Sequence, residues 1–200
     1  AVAIIQRAIR INPNNANYYS NCGPALRSLN RYEEAIACYH SAIALAPDHP
    51  QAWYNLGKTY FDSRKPAEAL AAYTRQLDLN PEHSSARWNR SLANLLLGNL
   101  REGWSEYEFR WTDTAASASK RIFAAPQWSG EPLVGKTLFI YAEQGLGDTI
   151  QFCRYVAMAA DRGARVIVEC QPELLGLLRS ISQISTLMRP GETLPAFDFQ

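Results

Sequence analysis

The sequence lacks an excess of charge of either sign. Twenty Lys and Arg residues stand against nineteen Asp and Glu, a formal net charge of +1 at pH 7. That balance excludes a general basic field for nucleic acid or for an anionic membrane. The chain also has no apolar run long enough to cross a bilayer. Cysteine is sparse: Cys22, Cys38, Cys153 and Cys170 form no C-x-x-C pair, and the three histidines stand at unrelated spacings. Zinc ligation is excluded on that spacing, and no metal or other cofactor is expected within these residues. Free thiols in a reducing compartment, the cytoplasm, are the plain reading. There is no initiating Met and no signal-peptide pattern, and the final "PAFDFQ" reads as strand material. A fragment cut at both ends is expected.

What is present is a globular composition, 47% hydrophobic and 20% charged, over a length suited to one or two domains. The first half repeats. "INP", "LAP" and "LNP" end at Pro13, Pro47 and Pro81, a step of 34 each time. The same step links Gly23, Gly57 and Ser91; Ala35, Ala69 and Gly103; Tyr39, Tyr73 and Tyr107; and Asn21, Asn55 and Asn89. The middle copy, "AWYNLGKTYFDSRKPAEALAAYTRQLDLNP", resembles the tetratricopeptide family, whose period is this length. Small residues at Gly57 and Ala69 let two helices approach, and Trp53, Tyr60 and Tyr73 fill the space between units. Each unit buries its apolar face only by stacking on the next. Copies are expected at 16–49, 50–83 and 84–113, with residues 1–15 the second helix of an earlier copy. The third copy is degenerate, with Arg87 and Arg90 at apolar positions. Pro24 falls within a predicted helix, where a kink or a cost of ~3 kcal/mol is expected.

Such a stack holds an extended protein or peptide segment on its concave side. The column Asn21, Asn55 and Asn89 supplies donors and acceptors that pair with any peptide backbone. It resembles the asparagine ladder of O-linked N-acetylglucosamine transferases, which grips acceptor proteins. Local capping or bonding within each repeat is the alternative role.

After Trp111 the period is lost. "TDTAASASK" reads as a linker, and residues 114–136 together as linker and connector. Before it, "GWSEYEFRW" reads as a hydrophobic cap on the last repeat that also docks the next domain. Residues 137–200 read as strand, helix, strand, helix, strand, the start of a parallel Rossmann-like α/β domain. In "GLGDTIQFCRYVAMAADRG", Ile150, Cys153, Val156, Ala157 and Ala160 share one predicted helix face.

Two glycine loops compete for a chemical role. "GEPLVGKT", Gly130 to Thr137, fits the phosphate-loop pattern letter for letter. A phosphate loop leaves a strand and enters a helix. This stretch leaves a Pro-rich connector and enters a strand, so Lys136 is expected to be a solvated residue. "EQGLGDT" is better placed, at a strand-to-helix turn. As a dinucleotide loop it has Gly145, Gly147 and a ribose-side acid, Glu169, but Ile150 stands where the third glycine belongs.

With its preceding strand, "GLGDTIQFCRYV" resembles the first loop of bacterial heptosyltransferases, where a Gly-Asp pair opens the first helix of a GT-B fold. In that family the aspartate is the proposed general base. The resemblance carries over to Gly147 and Asp148 and, more loosely, to Gly145. It implies a repeat arm joined to the acceptor-side half of a glycosyltransferase of family nine type. The nucleotide-sugar donor is then held by a second domain outside these residues, and the fragment alone is inactive. The competing expectation is a pure protein-interaction scaffold with a degenerate α/β segment.

Overall fold

The computed structural model describes residues 2–112, 120–143 and 145–200. It divides into two compact units, Ala1–Ala118 and Ser119–Gln200. The linker expected from "TDTAASASK" falls mostly on 113–119, which lie outside the described residues, as does Gln144 of the glycine loop.

The first unit is helical: α1 (Val2–Ile11), α2 (Ala16–Arg27), α3 (Tyr32–Leu45), α4 (Pro50–Asp62), α5 (Pro66–Leu79), α6 (Ser84–Leu96) and α7 (Leu100–Tyr107). The 34-residue step is written into the backbone as well as the side chains. Asn15, His49 and His83 stand at the N-caps of α2, α4 and α6. Each accepts a backbone N–H through its side chain, His49 Nδ1 from Ala52 at 3.3 Å and His83 Nδ1 from Ala86 at 3.1 Å. Capping satisfies donors that a helix start leaves orphaned. At the other end of these helices Asn30, Arg64 and Gly98 take left-handed conformations, with φ of 58°, 61° and 81°. After each, an N–H reaches back to close the turn, Arg31 to Leu26 O, Lys65 to Tyr60 O and Asn99 to Asn94 O. These are Schellman-type stops that turn the chain into α3, α5 and α7.

Within each pair, close approach is set by glycine. A Cβ on Gly23 would lie 2.1 Å from the Tyr39 ring, and one on Gly57 2.6 Å from the Tyr73 ring. Tyr39 and Tyr73 are fully buried, as are Ala35 and Ala69. Successive first helices lie directly against one another, α2 on α4 and α4 on α6. Among the described residues no comparable approach joins α3 to α5 or α5 to α7. The first helices are therefore the inner layer and the second helices the outer one.

The two arginines of the third copy replace apolar contacts with paired cations. Arg90 Nε donates to Glu106 Oε2 of α7 at 2.9 Å, and both side chains are mostly buried. Arg87 lies 4.8 Å from the Phe109 ring centroid. The expected aromatic cap forms in part. Arg110 is buried between Tyr107 and Trp111, while Trp104 remains 47% exposed. Pro24 does not end α2, which runs on to Arg27 with the proline on its exposed side.

The second unit carries a three-stranded parallel sheet, β1 (Thr137–Tyr141), β2 (Arg165–Glu169) and β3 (Ile184–Met188), in the order β1-β2-β3. The C-terminal segment pairs with the free edge of β1: Phe139 N–H donates to Phe199 O at 2.8 Å, and Leu138 and Phe199 form a parallel bridge. Alternation along the strands divides two cores. Leu138, Val166 and Val168 face a helix side built from Val156, Ala159, Leu175 and Leu178. Phe139, Ile167 and Met188 face Phe123, Tyr141 and Phe197. Leu133 is fully buried in the first core, so part of the expected connector is packed into this unit.

The helical stretch after β1 differs from the sequence expectation. It breaks into α8 (Leu146–Phe152) and α9 (Tyr155–Asp161). The break turns Ile150 outward, 47% exposed, while Val156 and Ala159 take the buried positions. Between β2 and β3 the helix is short, a 3-10 turn followed by α10 (Leu175–Leu178).

Candidate functional site

Asn21, Asn55 and Asn89 stand on the inner helices α2, α4 and α6. Each lies two residues before the small residue that meets the second helix: Gly23, Gly57 and the buried Ser91. Two residues are about 200° around a helix, so the asparagines are directed away from α3, α5 and α7. Asn21 is exposed, and Asn55 and Asn89 are half-buried.

Their hydrogen bonds differ. Asn55 Oδ1 accepts from Gln51 Nε2 of the same helix at 3.2 Å. Asn89 Nδ2 donates to Tyr54 Oη of the preceding repeat at 3.1 Å. The local-bonding role thus describes half of the Asn55 amide, and the Asn89 bond crosses between repeats. Tyr54 is the hub of this surface. Its ring lies 4.7 Å from the His83 ring, and Lys58 Nζ sits 5.5 Å from its centroid. Farther along, Arg27 of α2 pairs with Asp62 of α4 at 2.8 Å. Gln51 and Tyr54 were not found by sequence reasoning. The Tyr54–Asn89 separation of 35 is one residue off the repeat step, so no in-register search reveals it.

In the second unit, Gly145 occupies the N-cap of α8 with no side-chain cap bond, and Asp148 lies in the first turn. Asp148 is thus the third residue of the helix, and the residue at its N-cap position is Gly145. Asp148 is exposed, and Gly147 has no heavy atom within 4 Å of where its Cβ would be. Nearby, Thr149 Oγ1 donates to Gln171 Oε1 at 3.0 Å, tying α8 to the end of β2. Glu169, the acid of the dinucleotide reading, is buried and ion-paired with Arg121. Arg121 in turn lies over the Phe123 and Tyr141 rings, at 4.9 and 5.1 Å. Its only sequence signal was a basic residue two positions before an aromatic one, Phe123.

The phosphate-loop match enters β1, not a helix. Lys136 Nζ donates to Asp198 Oδ1 at 3.1 Å, and the Thr137 N–H donates to Asp198 Oδ2 at 2.8 Å. That backbone bond first, and Lys136 second, hold the Asp198 carboxyl below its usual range. Lys136 is thus a half-exposed ion-pair partner at the strand entrance. Among the described residues no group of three or more His, Cys, Asp or Glu is placed to hold a metal ion. No helix among them is long and apolar enough to cross a membrane.

Family comparison agrees with the 34-residue period. A TPR-repeat model matches residues 23–63, and a tetratricopeptide-repeat model matches residues 50–83. Residues 23–83 of the helical arm are tetratricopeptide repeats. Over 63 residues the chain is 41% identical to Protein FlbA of Caulobacter vibrioides, a match covering 32% of this chain and 11% of FlbA. The chain thus spans only a small part of that relative. The crystal structure of MamA is similar at a TM-score of 0.53 and 21% identity, over 60% of this chain and 70% of MamA. YrrB, described as a TPR protein with an unusual peptide-binding site, is similar at a TM-score of 0.53 and 22% identity, over 58% of this chain and 60% of YrrB. At these identities the tetratricopeptide likeness is one of fold.

Proposed function

We propose that the repeat arm binds an extended segment of a protein or peptide along α2, α4 and α6. The observation that carries this reading is the in-register column Asn21, Asn55 and Asn89, directed away from the outer helices. Each retains a free amide group among the described residues. A peptide-binding site in YrrB, a protein of similar fold, supports it. The test is selection from a pool of random dodecapeptides on the 200-residue chain, followed by titration of a selected peptide. Replacing all three asparagines by Ala should weaken binding by tenfold or more, on the order of one lost hydrogen bond per site. Unchanged affinity removes the asparagine column from the function.

The heptosyltransferase resemblance supports a further role for the second unit, as the acceptor-side half of a nucleotide-sugar-dependent glycosyltransferase. Two observations favour it over a degenerate scaffold. With Asp198–Phe199 beside β1, the order runs β3-β2-β1-C-terminal segment, the order around a doubly wound switch point. Ligands of such sheets sit at the carboxyl ends of the strands. Asp148 follows the carboxyl end of β1, exposed and in the first turn of α8, where a helix start favours an ionised carboxylate. In that role Asp148 takes the proton of an acceptor hydroxyl as its oxygen attacks the anomeric carbon and the nucleoside diphosphate leaves. Asp148→Asn in the full-length parent protein should abolish transfer and leave peptide binding intact. The 200-residue chain alone should transfer no sugar. Full activity in Asp148→Asn would remove Asp148 as the base, and no transfer by the unsubstituted parent would favour the scaffold reading.

A further inference from the structure

Charge is segregated between the two helix layers of the arm. The inner helices α2, α4 and α6 carry four cations, Arg27, Lys58, Arg87 and Arg90, and one acid, Asp62. The outer helices α3, α5 and α7 carry two cations, Arg75 and Arg101, against six acids. The turns between them hold both signs. The inner layer is therefore net positive and the outer layer net negative, in a chain whose total is only +1. The Arg90–Glu106 pair has the same sense, its cation on α6 and its carboxylate on α7. Asp62, the one inner acid, is matched by Arg27 at 2.8 Å. Such a distribution gives the inner side a potential that draws in ligands of opposite sign.

Lys58 is the place where this charge meets the asparagine column. It follows Asn55 by three residues, about 60° around α4 and one turn along it. Its side chain is half-buried, and Nζ lies 5.5 Å from the centroid of Tyr54, whose hydroxyl meets Asn89. The equivalent places in the neighbouring repeats hold Pro24 and Leu92, so the cation stands only in the middle repeat.

We propose that the segment bound along α2, α4 and α6 is acidic, with one of its Asp or Glu carboxylates paired to Lys58 while its backbone lies on the asparagines. The inference rests on the peptide-binding reading above and names the chemistry of the ligand. The asparagines serve a backbone of any sequence, and Lys58 supplies selection by charge.

The experiment starts from dodecapeptides selected from a random pool on the 200-residue chain. The selected sequences should carry net negative charge. One of them, labelled, should lose about threefold or more in affinity between about 50 and about 300 mM NaCl, because a part-exposed ion pair is screened by salt. Lys58→Glu should weaken it by about fivefold or more, and Lys58→Arg should hold affinity within about twofold. Lys58→Gln should flatten the salt dependence. The same peptide with its acids replaced by Lys should bind Lys58→Glu better than it binds the parent chain, which separates charge selection from any loss of folding. Neutral or basic selected peptides, or an affinity and salt dependence that Lys58→Gln and Lys58→Glu leave unchanged, would overturn the charge selection and leave peptide binding standing. Tighter binding of a labelled single-stranded DNA of similar length than of the peptide would assign the inner charge to nucleic acid and overturn it too. Failure of every peptide in the pool to bind the parent chain would overturn both readings.

Discussion

Tyr73 fills the space that any side chain at Gly57 would need. A Cβ at position 57 would lie 2.6 Å from Tyr73 Cε1 and 2.7 Å from Cδ1. One repeat earlier Gly23 and Tyr39 stand in the same relationship, so the contact is a unit of the architecture. Gly57→Ala should destabilise the arm by about 2–3 kcal/mol, although alanine gains about 1 kcal/mol in helix propensity. Urea unfolding measures this. Adding Tyr73→Leu should recover part of the loss, because residues in contact are not additive. Gly147→Ala, with no heavy atom within 4 Å, should change little.

Arg64 holds a left-handed conformation, φ 61°, at the turn between α4 and α5. Gly98 holds the matching place one repeat later, at φ 81°. A residue with a Cβ pays about 1–2 kcal/mol in that region. Arg64→Gly should therefore raise stability by about 1 kcal/mol, and Gly98→Ala should lower it by a similar amount. Thermal unfolding of the two variants should move in opposite directions.

Stability should fall at high pH. Burial pushes the Tyr39 hydroxyl up to about 12 from 10.0. Burial first, and then the neighbouring Cys22 thiol, push Cys38 up to about 12 from 9.0. Burial also raises Tyr73. The folded state holds these protons more tightly than the unfolded one. The stabilisation is complete below the unfolded values and is lost as pH rises toward 12, by about 1.4 kcal/mol per pH unit for each group in its window. Urea midpoints between pH 8 and 11 should show the decline. Tyr39→Phe should reduce its slope. It should cost little at pH 8, because Tyr39 Oη is buried and makes no hydrogen bond of ordinary geometry among the described residues.

Glu169 is 5% exposed at its side chain and depends on Arg121. Arg121→Ala leaves that carboxylate buried and unpaired, and should destabilise the second unit by about 2–4 kcal/mol. Lys136→Ala breaks an exposed pair and should cost less than about 1 kcal/mol. Hydrogen exchange at β1 and β2 amides should separate the two variants.

The repeat array was legible because its contacts recur at a fixed step. Gly57, Ala69, Tyr73 and Pro81 each have one dominant physical reason to be what they are. The turn at Asn30, Arg64 and Gly98 shares that step but was missed, since Arg64 carries no compositional mark of a left-handed residue. His49 and His83 were missed as caps because imidazole is an uncommon cap, though its Nδ1 accepts the same N–H. The single helix expected after β1 failed at Cys153 and Arg154, where no Gly or Pro marks the break. Pro24 illustrates the converse: its ring sits on the exposed side of α2, and the helix continues past it. The asparagine column could be found from spacing, but the bonds to Gln51 and Tyr54 that differentiate its members could not.

The most direct measurement is a titration of the chain, labelled with nitrogen-15, with a selected dodecapeptide, following the side-chain amide resonances of Asn21, Asn55 and Asn89. The predicted result is that all three shift together with backbone amides of α2, α4 and α6, while α3 and α5 stay unchanged. Shifts confined to α3, α5 or α7, with the three asparagine side chains unmoved, would contradict a peptide site on the inner helices.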